Sequence, residues 1–238
     1  MRKNVNYLIL ISGILGQFLN GYMLGIVGPV IPCLYKYAGT NIFWNALIGS
    51  ASIYGLAIGS FLSGPFIDKY GRSLALKSVF FAYFIISISY FVFLSKEYIF
   101  ISRLFLGFLI GIEYVVSKTY ANESLDKKIK SKFIAIIGLF WMVGISFSYI
   151  FGTSVVKNHE ILWNYLLVFP AIISIVGIFI RSFLNESLEW KESHLTSQIA
   201  QKHLEKISFL FKKGMFMRTL VATSIYSCHN VPFFAINT

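Results

Sequence analysis

The sequence predicts an all-α membrane protein: a bundle of six transmembrane helices followed by an incomplete seventh. Three observations predict it. Mean hydropathy is +0.70, and charged residues make up only 13% of the 238, against about 25% in a soluble domain. Six apolar stretches each reach the ~20 residues that a helix needs to cross the hydrocarbon core. Lys and Arg collect on alternate sides of those stretches. The formal charge of +11 would suggest nucleic acid for a soluble chain. Here the charges lie between apolar runs and orient them in a bilayer, so nucleic acid is excluded as a partner.

The first span is expected over about 5–33. It follows Met1-Arg2-Lys3, is too long for a signal-peptide core, and lacks a small-residue cleavage site. The next five are expected near 43–67, 74–94, 98–118, 133–156 and 161–184. Together residues 1–184 form a six-span bundle. Residues 185–213 are polar, with Leu188, Leu195, Ile199, Leu204, Ile207 and Leu210 at roughly helical spacing, and read as a cytoplasmic amphipathic linker. Residues 214–238 carry apolar sequence again, with His229, Asn230 and Pro232 inside it, and read as the incomplete seventh span.

With the N-terminus in the cytoplasm, seventeen Lys and Arg fall on the inner side, Arg181 among them. Only Lys36, Lys96 and Lys157 fall outside. This predicts a multi-pass protein of the inner or plasma membrane. Cys33 and Cys228 make neither a disulfide framework nor a metal pattern. No nucleophile elbow, metal cluster or phosphate-cradling loop appears, so neither an enzyme nor a cofactor is expected.

Gly21 with Gly25, Gly55 with Gly59, and Gly107 with Gly111 are each four apart. Each pair lies on one helix face and lets a neighbouring backbone approach. Ionisable groups inside a span usually face a cavity or a partner. Arg103 and Glu113 are the clear cases, both on span four. Ten residues at ~1.5 Å put them ~15 Å apart, too far to pair with each other. Gln17 and Asn20, three apart on span one, offer amides to a hydroxyl or carboxylate of a small solute. Gln17, Asn20, Arg103 and Glu113 are therefore the cavity candidates. Trp141 and Tyr114 read as packing residues.

A short charged segment, Gly64-Pro65-Phe66-Ile67-Asp68-Lys69-Tyr70-Gly71-Arg72-Ser73, separates spans two and three. Gly71 can take the positive φ of a tight reversal, and Lys69 and Arg72 can pair with Asp68. The pattern G-x-x-x-D-K-x-G-R resembles the signature loop of the major facilitator superfamily, with Ser73 where a second basic residue is usual. Ser102-Arg103 through Gly107 and Gly111 resembles the family's span-four R-x-x-x-G-x-x-x-G. Tyr120-Ala121-Asn122-Glu123, followed by Lys130, is similar to the Y-x-x-E signature of sugar porters and metabolite symporters. Asn185-Glu186-Ser187-Leu188-Glu189-Trp190 resembles P-E-S-P-R-W without its prolines and arginine. Asn20-Gly21-Tyr22-Met23-Leu24-Gly25 resembles D-G-Y-D-x-G without its acids.

The resemblance implies the N-terminal half of a two-bundle carrier of sugar-porter or metabolite-proton-symporter type, moving a small organic solute such as a sugar or organic acid. It implies a cytoplasmic gate built from Gly64, Asp68, Lys69, Gly71 and Arg72, with Glu123 and Glu186 as salt-bridge partners. Asn20 and Met23 cannot titrate where proton-coupled relatives keep acids, so Arg103 loses its usual partner, and coupling to protons would run through Glu113. The expected partners are the lipid bilayer, the solute, protons, and a second copy of the chain or a separate C-terminal half. A chain ending within span seven is expected to be truncated. The alternative reading is an inactive fragment or a non-transporting membrane scaffold.

Overall fold

Inside a bilayer each backbone N–H and C=O must be satisfied within the protein, and a helix does this within one segment. In the computed structural model, which describes residues 2–125, 127–187, 189–192 and 217, the apolar stretches are helices. Span one is α1 (Arg2–Gly25), continued by α2 (Val27–Tyr37). Spans two to five are α3 (Ile42–Tyr70), α4 (Arg72–Ser89), α5 (Lys96–Ser124) and α6 (Lys127–Asn158). Span six is a 3-10 turn (Glu160–Leu162) followed by α7 (Trp163–Val168) and α8 (Pro170–Ser182). Six helical stretches of the described residues are long and apolar enough to cross a membrane. Apart from residues 185–187, 189–192 and 217, the expected linker and seventh span, with Cys228 and His229, lie outside the described residues.

Local chemistry places the breaks. Pro29 has no N–H to give Gly25 and its ring crowds that carbonyl, so α1 gives way to α2 at Ile26. The Asn41 side chain accepts from the Trp44 N–H at 2.9 Å and starts α3. Ser95 caps α5 in the same way through the Tyr98 N–H. Pro170 occupies the first turn of α8, where its missing N–H is harmless.

Span two packs along span four, span one along span five, and span three along span six. Exchanging the first three spans with the last three turns the one–five pair into the four–two pair and leaves three–six unchanged. The pairing therefore has the symmetry of a three-span repeat. The glycine pairs sit where these helices meet. A Cβ at Gly55 would lie 2.0 Å from the Leu104 carbonyl oxygen, and one at Gly107 would lie 2.1 Å from that of Ser52. At the matching interface, Gly21 approaches the Trp141 carbonyl and Gly144 that of Phe18. Leu19, Tyr22, Ile26, Phe80, Tyr83 and Ile110 fill the interior between the pairs. Large exposed side chains such as Phe61, Leu139, Ile150 and Phe179 are apolar, as a surface against lipid requires.

Candidate functional site

The charged segment between spans two and three is almost entirely helical. α3 runs on to Tyr70, α4 begins at Arg72, and Gly71 alone stands between them with φ 95° and ψ 156°. That region of backbone space is essentially restricted to glycine. The tight reversal brings Arg72 back onto Asp68, with Nη2 to Oδ1 at 2.9 Å. The same guanidinium reaches Glu123 at the end of α5, 3.0 Å from Nη2 and 3.1 Å from Nε. The other Glu123 oxygen accepts from the Ser187 hydroxyl.

Glu186 joins this cluster differently from the expected salt bridge. Its carboxylate accepts the backbone N–H groups of Arg72 and Ser73, at 2.9 Å and 3.0 Å. These are the first free donors of α4, where helix polarity also favours a negative group. Ser73, where a basic residue was the family norm, donates its hydroxyl to the Leu184 carbonyl at 2.8 Å. Trp190 closes the cluster by donating its indole N–H to the Asp68 carbonyl at 3.0 Å. Lys69 does not pair with Asp68, and its ammonium lies over the Tyr70 ring. Gly64 has open space around it.

A Cβ at residue 71 would meet the Glu186 carboxylate at 2.5 Å, in addition to the backbone strain. Gly71→Ala is expected to cost about 1–3 kcal/mol and to lower the melting temperature in detergent. An unchanged melting curve would mean that the reversal does not depend on glycine.

The four interior candidates are all buried. Gln17 donates to the Ser117 hydroxyl at 3.3 Å. Asn20 accepts from the Tyr83 hydroxyl at 2.8 Å, and its Nδ2 has no partner. Arg103 gives Nη1 to the Met23 carbonyl at 2.9 Å, leaving Nε and Nη2 without partners.

Glu113 is held by Arg181 of span six, each side chain fully buried. Arg181 Nη1 and Nη2 lie 2.8 Å and 2.5 Å from the two carboxylate oxygens. Arg181 also donates to the Ser12 hydroxyl and the Leu76 carbonyl, and its guanidinium stacks 3.7 Å over Phe80. A Cβ on Gly16 would lie 2.3 Å from a Glu113 oxygen, so the pair fits only against glycine. Arg181 is therefore an interior residue and not the cytoplasmic charge that its place near the polar end of span six suggested.

Lys118, also counted with the inner charges, lies 3.3 Å over the Tyr114 ring, and Tyr114 packs edge-on against Trp141. A separate groove of 490 Å³ between spans three, five and six is lined by Phe84, Phe91, Phe151, Tyr165 and Phe169 among others, and none of the site candidates lines it.

The family model described as "Sugar (and other) transporter" matches residues 9–220. The chain belongs to the sugar (and other) transporter family. It is 24% identical over 205 residues to the glucose transporter GlcP of Staphylococcus epidermidis, covering 85% of this chain and 45% of that protein. It is 23% identical over 238 residues to the inner membrane metabolite transport protein YgcS of Escherichia coli, covering 92% of this chain and 54% of that one. The fold matches the major facilitator superfamily proton:xylose symporter XylE bound to 6-bromo-6-deoxy-D-glucose. The TM-score is 0.73 at 18% identity, over 94% of this chain and 53% of that one. The major facilitator fold expected from the motifs is the fold found, and the relatives are transporters rather than enzymes. The chain spans about half the length of the curated relatives it matches.

Proposed function

We propose that this chain serves the transmembrane transport of a small organic solute, a sugar or organic acid, as the N-terminal bundle of a major facilitator carrier. It lies in the inner or plasma membrane with its N-terminus and the Asp68–Arg72 segment in the cytoplasm. The observation that carries this reading is the cluster of Asp68, Arg72, Glu123 and Glu186. Three separate parts of the chain meet there through charge-assisted hydrogen bonds, which are stronger and more geometrically specific than neutral ones. Such a cluster can hold one face of a rocking bundle shut and release it when the helix ends separate. The names of the relatives, a glucose transporter and a metabolite transport protein, agree with this class of solute. Proton coupling in this reading requires Glu113 to part from Arg181.

The test is uptake into liposomes by the purified protein, with labelled glucose, xylose and a small carboxylate, each with and without an inward proton gradient. Uptake above that of empty liposomes is expected for at least one solute, and Arg72→Ala is expected to reduce it by tenfold or more, equivalent to ~1.4 kcal/mol. Uptake no greater than empty liposomes for every solute would sink the reading.

A further inference from the structure

The geometry points to Arg103 as a binding site for the carboxylate of a small organic acid. The inference rests on the transport reading and names its solute class. Arg103 is 2% exposed. A charge so deeply buried is costly unless paired, and every carboxylate among the described residues is engaged elsewhere or exposed. Asp68 and Glu123 hold Arg72, Glu113 holds Arg181, Glu160 holds Lys36, and Glu186 caps α4. Arg103 has instead one neutral carbonyl, that of Met23, at Nη1.

Which atoms are left matters more than how many. Nε and Nη2, the two without partners, form one edge of the guanidinium plane. Their N–H bonds run parallel, in the spacing that meets both oxygens of a carboxylate at once. Two neighbouring hydroxyls of a neutral sugar can accept from both, but they bring no negative charge to offset the buried guanidinium. One turn before Met23 on α1, Asn20 leaves a further buried donor unused at Nδ2. These unfilled groups on spans one and four are all donors, so the solute they suit is rich in acceptors and negative.

The experiment follows thermal unfolding of the purified protein in detergent, with benzoate and lactate as probes and benzamide, lactamide and glucose as neutral controls. A carboxylate in excess over its dissociation constant should raise the melting temperature by about 2–4 °C, and the neutral amides should not. Arg103→Met should abolish that shift, and Arg103→Lys should retain a smaller one. Without ligand, Arg103→Met should melt at or above the parent, because an uncompensated charge has been removed. A merely structural arginine would make it melt lower.

The inference is overturned if no carboxylate shifts the parent, as when the partner is a carboxylate side chain of a second polypeptide, or if the shift survives Arg103→Met. Should Arg103→Met fail to fold, Arg103→Lys and competition by benzoate for liposome uptake carry the same test. Stabilisation by glucose alone, independent of Arg103, would leave the transport reading standing and sink this one.

Discussion

Arg181→Met is expected to destabilise the bundle by about 3–5 kcal/mol, the cost of leaving a buried charge without its partner. The substitution keeps an apolar side chain and removes the guanidinium that stacks on Phe80. Glu113 then keeps a carboxylate that no water reaches, both side chains being fully buried. The Leu76 carbonyl and the Ser12 hydroxyl lose their donor as well. Because Ser12, Leu76, Glu113 and Arg181 belong to spans one, three, four and six, the loss is felt by four helices together. Glu113→Gln is expected to destabilise less, since its amide can still accept one of the two arginine N–H groups while putting an NH2 against the other.

The double change Arg181→Met with Glu113→Leu separates charge from packing. If the single variants fail because a charge is stranded, removing both charges should recover most of the loss. Thermal unfolding in detergent measures Arg181→Met, Glu113→Leu and the double variant. Single variants as stable as the parent would mean that the two groups exchange partners or reach water. A double variant no better than the worse single would mean that shape, and not charge, holds the four spans. The same pair bears on coupling: a proton taken up by Glu113 removes half of the bond, so uptake by Glu113→Gln should lose any dependence on a proton gradient that the parent has.

The charged cluster around Gly71 was largely legible in the sequence because its central parts are local. Asp68 and Arg72 are only four residues apart, and Gly71 announces the reversal between them. Glu123 was named from a motif rather than from spacing, and the structure joins it to Arg72. Glu186 was named too, but its role was misread. A carboxylate near arginines suggests an ion pair, whereas the unsatisfied N–H groups at the start of α4 attract it as strongly and are invisible in a list of side chains.

The interior pair was not legible. Arg103 and Glu113 could be shown not to reach one another from their separation along one helix. Nothing local says that Glu113 will find Arg181, 68 residues away on span six. Arg181 stands one residue before the end of α8, close to Asn185 and Glu186, so it read as a loop charge. The one hint was Gly16: a glycine at that level of span one leaves the volume that the ion pair fills. The three-span repeat was likewise hidden in the residues, because its symmetry lies in which helices pair and hardly at all in which side chains recur.

Gly107→Ala is expected to be among the most disruptive single methyl groups that could be added to the bundle, at about 1–3 kcal/mol or more. The new Cβ would lie 2.1 Å from the Ser52 carbonyl oxygen and 2.7 Å from its carbonyl carbon. Those are backbone atoms of α3, which cannot turn aside as a side chain can, so the two helices must move apart. The movement would also disturb the hydrogen bond from the Ser52 hydroxyl to the Arg103 carbonyl, 3.0 Å long at the same crossing. Gly59→Ala should behave alike, since its Cβ would lie 2.0 Å from the Phe108 carbonyl oxygen. Gly138 supplies the control. It is also within a helix, α6, but a Cβ there meets nothing within 4 Å, so Gly138→Ala should be neutral or stabilising by up to about 1 kcal/mol through helix propensity alone. The three variants differ from their parent by the same methyl group, so composition and propensity cancel between them. If all three melt alike in detergent, the close approach of spans two and four is not what the glycines provide. If Gly107→Ala and Gly59→Ala fall while Gly138→Ala holds, backbone contact at the two–four interface sets the stability of the bundle.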